Sequence, residues 1–248
     1  MRSFLTGHRG FLGSPLARAL RARGDEVFTT DEDLRFQCTI PKNIDRVYHL
    51  AAHIGNGAFL KAPENQWQIL ESNLSIDLNV ISEARGACEK FFYASSYWSW
   101  DGAYTTVKDL IANQVLPLSG LSFSVGILGP VYGPGMPIGG PKERVIAAIC
   151  RRLALGEPPL SGVGNDVFIR PVYVDDAVRG ILNLVERGEK LSQISGTHEI
   201  LIERLPGVLA GHVEPLRVKG GVPEEQISLR EGLQKTYQDI KERLNESR

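Results

Sequence analysis

The chain has 248 residues, 42% of them hydrophobic and 23% charged, with a formal net charge of −1. That length suits one α/β domain with its own core, and the composition excludes disordered and fibrous classes. The near-neutral balance offers no footprint for nucleic acid or an anionic membrane, so any bound phosphate must be held by local geometry.

Cys38, Cys88 and Cys150 are odd in number, widely spaced and without a C-x-x-C pair, which argues against a disulfide framework or a zinc site and fits a reducing cytoplasm. Met1 leads almost at once into an apolar run, so a cytoplasmic protein without a removed leader is expected. No apolar run approaches membrane-spanning length.

Residues 3–6 predict a strand, 15–23 an amphipathic helix and 26–30 a second strand; 46–51 and 66–88 repeat the pair. Then follow a strand over 90–94, a helix over 103–114, a strand over 122–128 and an amphipathic helix over 144–155. This alternation predicts an α/β fold with a doubly wound parallel sheet. Residues 133–141, rich in Gly and Pro, read as a long loop of the kind that borders a ligand crevice. Ser228 as N-cap, Glu231 three residues on, and Leu233, Tyr237, Ile240 and Leu244 at helical spacing predict a packed terminal helix. The expected division is a dinucleotide-binding core over 1–160, with 161–248 supplying the remaining core strand and helix and a small C-terminal α/β substrate lobe, all within one integrated domain.

The segment Gly7-His8-Arg9-Gly10-Phe11-Leu12-Gly13 follows an apolar strand and opens a helix. A pyrophosphate needs this order: a tight turn without Cβ atoms, then helix amides facing the anion. The spacing is G-x-x-G-x-x-G. Asp31, at the end of the second strand, can accept from an adenosine ribose and repels a 2′-phosphate. Arg9 argues the other way, since its guanidinium can pair with such a phosphate. The reading is a Rossmann turn for NAD, with NADP possible.

Tyr104 and Lys108 stand four apart on one helix face. An ammonium beside a phenol favours phenolate, making a proton donor and acceptor for a carbinol or carbonyl oxygen. Ser96, at the end of the strand over 90–94, supplies a hydroxyl to polarise the same oxygen.

Together with these residues, His49-Leu50-Ala51-Ala52, Asn73, Ala94-Ser95-Ser96, Val131-Tyr132-Gly133-Pro134 and Arg170-Pro171-Val172-Tyr173-Val174-Asp175-Asp176 fall in the order of an extended short-chain dehydrogenase/reductase. The chain resembles the NAD-dependent epimerase/dehydratase family, in particular its nucleotide-sugar epimerases, reductases and dehydratases. The resemblance implies Tyr104 as general acid/base, Lys108 as its electrostatic tuner and nicotinamide-ribose ligand, and Ser96 as the hydroxyl orienting the substrate oxygen. Leu50, Ala51, Ala52 and Asn73 join the glycine turn as cofactor-binding residues. His53 and Asn56 lie in a glycine-rich segment similar to one that family members place beside the hexose, and Arg170 would face a nucleotide diphosphate. A nucleotide-sugar, GDP-linked by this likeness, and a homodimer through two helices per subunit are the implied partners.

The chain also departs from the family pattern. Only seven residues separate Ser96 from Tyr104, where family members carry a much longer segment, and little chain lies between Val213 and Ser228. Trp98 stands where 3,5-epimerases of the group carry a proton-moving cysteine, and Lys142 remains as a displaced candidate for their partner base. Indole has no titratable proton near neutral pH, so 3,5-epimerisation is disfavoured; Tyr97-Trp98 in place of an Asp-Glu pair disfavours 4,6-dehydration. Trp98 beside Tyr97 and Trp100 can serve as an aromatic platform for a sugar or simply cap the core. Lys142, Arg144, Arg151 and Arg152 read as the polar face of a helix, with one member able to reach a diphosphate; Asp175 and Asp176 read as a helix cap. No pair of histidines has metal-ligand spacing, so no metal is expected. The expected activity is hydride exchange at a sugar carbon, as a C4-epimerase or ketoreductase. The alternatives are a homologue that binds dinucleotide without turnover and a reductase of a non-sugar carbonyl.

Overall fold

A computed structural model of the protein describes residues 1–97, 102–159, 167–222 and 226–246. In chain order the elements are β1 (Arg2–Thr6), α1 (Gly13–Ala22), β2 (Glu26–Thr29), β3 (Ile44–His49), α2 (Gly57–Lys61), α3 (Gln66–Ala84), β4 (Cys88–Ser96), α4 (Ala103–Leu110), α5 (Leu116–Leu118) and β5 (Phe123–Leu128). There follow β6 (Val131–Tyr132), α6 (Val145–Ala154), β7 (Phe168–Ile169), β8 (Val172–Tyr173), α7 (Val174–Arg187), β9 (Leu191–Ile194), β10 (His198–Leu201), α8 (Leu205–Leu209), β11 (Leu216–Arg217) and α9 (Leu229–Glu246). The chain divides into two compact units, one of residues 1–54, 58–128 and 178–192, the other of 55–57, 129–177 and 193–248.

The first unit is built on the six-stranded sheet β2-β1-β3-β4-β5-β9, in which β2, β1, β3, β4 and β5 pair in parallel. The chain leaves β1 for β2 on one side and returns to β3 on the other, which creates a switch point at the C-terminal ends of β1 and β3. Period-two alternation sorts the strands into two faces. Phe4, Val47 and Phe91 stand in register on one face and pack with Ile76, Val80 and Val107 of α3 and α4. Burial of a side chain such as Phe91 stabilises by about 2–3 kcal/mol. On the other face Lys90 Nζ donates to the Val185 carbonyl of α7 at 3.2 Å. The doubly wound parallel architecture predicted from the sequence is therefore present.

The predicted helix over 103–114 is regular only as far as Leu110. Residues Ile111–Val115 form a π turn that runs into α5. Pro117 lies within α5, and its missing N–H and the clash of its ring with the carbonyl of residue 113 favour the wider turn.

In the second unit β11, β10 and β7 form an antiparallel sheet, and β6 pairs with β8 in parallel. The terminal helix begins as expected, with Ser228 Oγ accepting from the Glu231 amide at 3.3 Å. It packs on Tyr132, because a Cβ on Gly232 would meet the Tyr132 hydroxyl oxygen. Its Asp239 accepts from the Gly135 amide at 3.0 Å, and its Arg243 donates to the Met136 carbonyl at 2.9 Å, so it fixes the predicted loop over 133–141. Asp175 and Asp176 do lie in the first turn of α7. Asp176 is fully buried and accepts from the amides of Gln226 and Ile227 at 3.1 and 3.3 Å, which braces a distant segment. Among the described residues no helix is long and apolar enough to cross a membrane.

Candidate active site

The glycine turn sits at the switch point. Gly7 has φ +73°, and a Cβ there would lie 2.9 Å from the Ala51 amide nitrogen, so the ends of β1 and β3 can approach this closely only at a residue without a side chain. A Cβ on Gly13 would lie 2.0 Å from the Gly7 carbonyl oxygen. The Gly10 amide closes the turn onto the same carbonyl at 2.9 Å, and Gly10 itself is exposed. Phe11 and Leu12 are half-buried and lead into α1, whose N-terminus no side chain caps. The Ser14 amide donates to the Gly10 carbonyl at 3.0 Å and Pro15 has no N–H, so an anion would be met by the turn itself where it opens α1. Missing Cβ atoms and a helix start that no side chain caps together fit a pyrophosphate.

Beside the turn, Arg9 donates to Asp31 at 2.5 Å and His8 Nε2 lies 3.6 Å from the same carboxylate. The two residues that argue for different cofactors are thus partners. Arg9 and Asp31 side chains are 74% and 61% exposed, so the pair contributes little stability and serves mainly to place the carboxylate.

The register places Thr6, His49 and Tyr93 in one row across β1, β3 and β4, directly before the turn. Thr6 Oγ1 lies 2.7 Å from His49 Nδ1, and His49 Nε2 lies 2.8 Å from Asp77 Oδ1 of α3. Tyr93 donates to Asp77 Oδ2 at 2.6 Å. Asp77 is fully buried. Burial raises its carboxyl, yet the Lys108 charge and the bonds from His49 and Tyr93 outweigh that and hold it below its ordinary value. Burial lowers His49 despite Asp77, so the ring is neutral near pH 7. An ionised Asp77 only accepts, so His49 Nε2 carries the proton and Nδ1 accepts from Thr6. The Thr6 oxygen in turn accepts from the Leu50 and Ala51 amides, both at 3.2 Å, which fixes the loop that Gly7 abuts.

Asn73, also fully buried, spends its amide on backbone. It accepts from the His53 amide and donates to the His53 carbonyl, both at 2.9 Å, and donates to the Ile69 carbonyl at 2.8 Å. Its contacts hold the segment through Ala52 and His53; the half-buried His53 ring lies 5.6 Å from that of Phe59.

Ser96 closes β4, paired in register with Leu128. The short connection to α4 does not leave the helix entry undefined. Gln66 accepts from the Ala103 amide at 2.8 Å and donates to the Leu60 and Ala62 carbonyls at 2.8 and 3.0 Å, anchoring the start of α4 to α2 and α3. Tyr104 is buried with Leu60, Ile69 and Ala103, and Ala52, Ile54 and Phe59 pack around them. Lys108, 3% exposed, lies one turn on, its Nζ 5.9 Å from the Tyr104 ring centre, 4.4 Å from the Tyr93 ring centre and 3.6 Å from Asp77 Oδ2. Helical spacing thus brings phenol and ammonium together as predicted.

The remaining candidates belong to the second unit or lie outside the description. The Asn56 amide donates to the Pro141 carbonyl at 2.6 Å. Arg170 is buried, with Nη2 3.3 and 3.4 Å from the carbonyls of Gly196 and Lys219. Lys142 is exposed ahead of α6, whereas Arg151 pairs with Glu143 at 2.7 Å and Arg152 with Glu157 at 3.5 Å. Trp98 and Trp100 lie outside the described residues. Among the described residues no group of three or more His, Cys, Asp or Glu side chains could hold a metal ion.

Asp77 and Tyr93 escape a reading for motifs. A carboxylate on the apolar face of α3, between Ile76 and Val80, is the signal that finds them, because a buried charge needs partners.

Residues 3–113 match the model of the NAD dependent epimerase/dehydratase family. The resemblance read from the sequence motifs stands. The chain is similar to GDP-mannose 3,5-epimerase 1 of Oryza sativa subsp. indica, 25% identical over 238 residues, covering 75% of this chain and 61% of that protein. Against GDP-mannose 3,5-epimerase of Arabidopsis thaliana it is 25% identical over 231 residues, covering 73% and 61%. The chain therefore spans 61% of the length of these curated relatives. In fold it is similar to UDP-glucose 4-epimerase of Thermotoga maritima, solved with UDP-glucose, with TM-score 0.75 and 20% identity over 98% of this chain and all of that one. It is similar also to the Bordetella bronchiseptica enzyme WbmF in complex with NAD+, with TM-score 0.79 and 17% identity over 98% and 93%.

Proposed function

We propose that this chain is an NAD-dependent enzyme that modifies a nucleotide-sugar by hydride exchange at a sugar carbon, as a C4-epimerase or ketoreductase. The observation that carries the reading is the buried Tyr104–Lys108 pair on α4, its ammonium 5.9 Å from the phenol ring. The turn from Gly7 to Gly13 would hold the pyrophosphate where it opens α1, and Asp31 the adenosine ribose. When bound, the nicotinamide supplies the site with a hydride acceptor and donor. Tyr104 takes or returns the proton of the substrate hydroxyl, with Lys108 stabilising its phenolate. Ser96, on the C-terminal edge of the sheet shared by the glycine turn, donates to the same oxygen. Asp31 beside the turn favours NAD over NADP.

The likeness to GDP-mannose and UDP-sugar enzymes supports a nucleotide-sugar as substrate, with GDP- and UDP-linked forms as the first candidates. Exposed Trp67 and Leu78 on α3 and Leu110 on α4 support a homodimer through these helices, which sedimentation equilibrium tests directly. Three free thiols fit a cytoplasmic location.

The test is turnover of a panel of GDP- and UDP-sugars, extended to simple ketones, by the wild type and Tyr104→Phe. The expected result is turnover of at least one nucleotide-sugar, with kcat lowered by about 100-fold or more in the variant. Cofactor binding without turnover anywhere in the panel contradicts the enzyme reading, and turnover of ketones alone moves the substrate class.

A further inference from the structure

We infer that Asp77 is a positioning residue for Lys108: its carboxylate, held in place by His49 and Tyr93, fixes the lysine ammonium where it would meet the nicotinamide ribose. This rests on the proposed role of Lys108 as a nicotinamide-ribose ligand and goes beyond it by making the functional unit an ion pair.

The geometry is specific. Asp77 lies on the buried face of α3, where an unpaired carboxylate would be strongly unfavourable. It draws partners from three other elements: His49 from β3, Tyr93 from β4 and Lys108 from α4. The first two are hydrogen bonds of 2.8 and 2.6 Å that leave the carboxylate one orientation. The third is an ion pair of 3.6 Å, beyond direct hydrogen-bond length, so Asp77 supplies counter-charge without drawing the ammonium into a short bond. The Tyr93 ring, 4.4 Å from Nζ, supports the cation from a second side. Charged and titratable groups around the pair are His49, Tyr93, Tyr104 and Asp109. Burial holds Tyr93 well above its ordinary value, with the Asp77 charge adding to it, so it stays a donor.

Lys108 is 3% exposed, and a buried ammonium is costly unless paired, so this placement of the lysine is made tenable by the Asp77 carboxylate 3.6 Å away. The row that clamps it begins at Thr6, the residue before Gly7, so the glycine turn and the lysine anchor are parts of one connected set of hydrogen bonds.

A double-mutant cycle on NADH affinity tests this, using fluorescence titration of the full chain stripped of nucleotide, with circular dichroism to confirm folding. Lys108→Met, Asp77→Asn and the double variant are compared with wild type. NADH is expected to weaken by about tenfold in each single variant, and the double variant should bind no more weakly than the weaker single one. Its melting temperature should exceed that of Lys108→Met, which strands the buried carboxylate. Wild-type affinity in Asp77→Asn, or losses that add in the double variant, overturns the inference. Unchanged affinity in Lys108→Met overturns instead the reading on which it rests, so the two failures are separable. Should Asp77→Asn not fold, Tyr93→Phe, which removes one clamp and keeps the charge, goes through the same cycle with Lys108→Met. A loss of about threefold seen only when Lys108 is present supports the inference; an unchanged affinity, or the same loss without Lys108, overturns it.

Discussion

Gly13→Ala places two familiar effects in opposition. Alanine within a helix is favoured over glycine by about 1 kcal/mol, so on propensity alone the change stabilises α1. The added Cβ, however, would lie 2.0 Å from the Gly7 carbonyl oxygen, 2.8 Å from the Gly7 carbonyl carbon and 3.0 Å from His8 Cα. All three are backbone atoms and none can rotate away. Restoring an ordinary contact of 3.4 Å means moving the turn by about 1.4 Å, at an overpacking cost of about 2–3 kcal/mol, the upper part of the usual range, that outweighs the propensity gain. The expected outcome is a melting temperature lower by about 2–6 °C. Because the displaced carbonyl closes the turn proposed to hold the pyrophosphate, NADH affinity should fall by at least about tenfold. Thermal unfolding and NADH fluorescence titration of the purified variant measure both. A variant as stable as wild type or more so, binding NADH equally well, refutes the reasoning, since the turn could then yield without consequence.

Asp31→Ala releases Arg9 from its carboxylate and should narrow the preference for NADH over NADPH by about tenfold; parallel titrations with the two coenzymes check this, and an unchanged ratio removes Asp31 as the discriminator. For His49 the folded-state value is depressed by burial, so its contribution to stability is present above the unfolded value near 6.5 and is lost as pH falls below it. One proton taken up on unfolding gives a slope of about 1.4 kcal/mol per pH unit in that window. His49→Gln should flatten the urea-derived stability profile below pH 6.5 by that amount, and parallel profiles would contradict the neutral assignment.

Much of the fold was legible because its signals are local. Apolar runs of strand length, amphipathic segments and the glycine turn each depend on a few neighbouring residues, and β1, α1 and β2 appear within a residue or two of their expected bounds. What escaped depends on register between distant strands. Nothing near His49 in the chain shows that it stands opposite Thr6 and Tyr93, or that Asp77 reaches all but the first of these. Arg9 and Asp31, 22 residues apart, look like rival cofactor signals until the turn brings them together. Asn73 is read from the sequence only as a cofactor-binding residue, and the structure adds that its amide bonds the backbone of His53 and Ile69. The π turn after α4 follows from Pro117, a local cause whose effect reaches back along the helix instead of ending it. The segment between Ser96 and Tyr104 is short, and the anchor for the start of α4 comes from Gln66, far earlier in the chain.

The most direct test of the central claim is isothermal calorimetry of NAD+ and NADH binding to the nucleotide-stripped protein. Saturable 1:1 binding per chain, with a dissociation constant of about 10 μM or tighter and weakened by Gly13→Ala, is the predicted result. No heat of binding with either coenzyme, from protein shown to be folded, would contradict it.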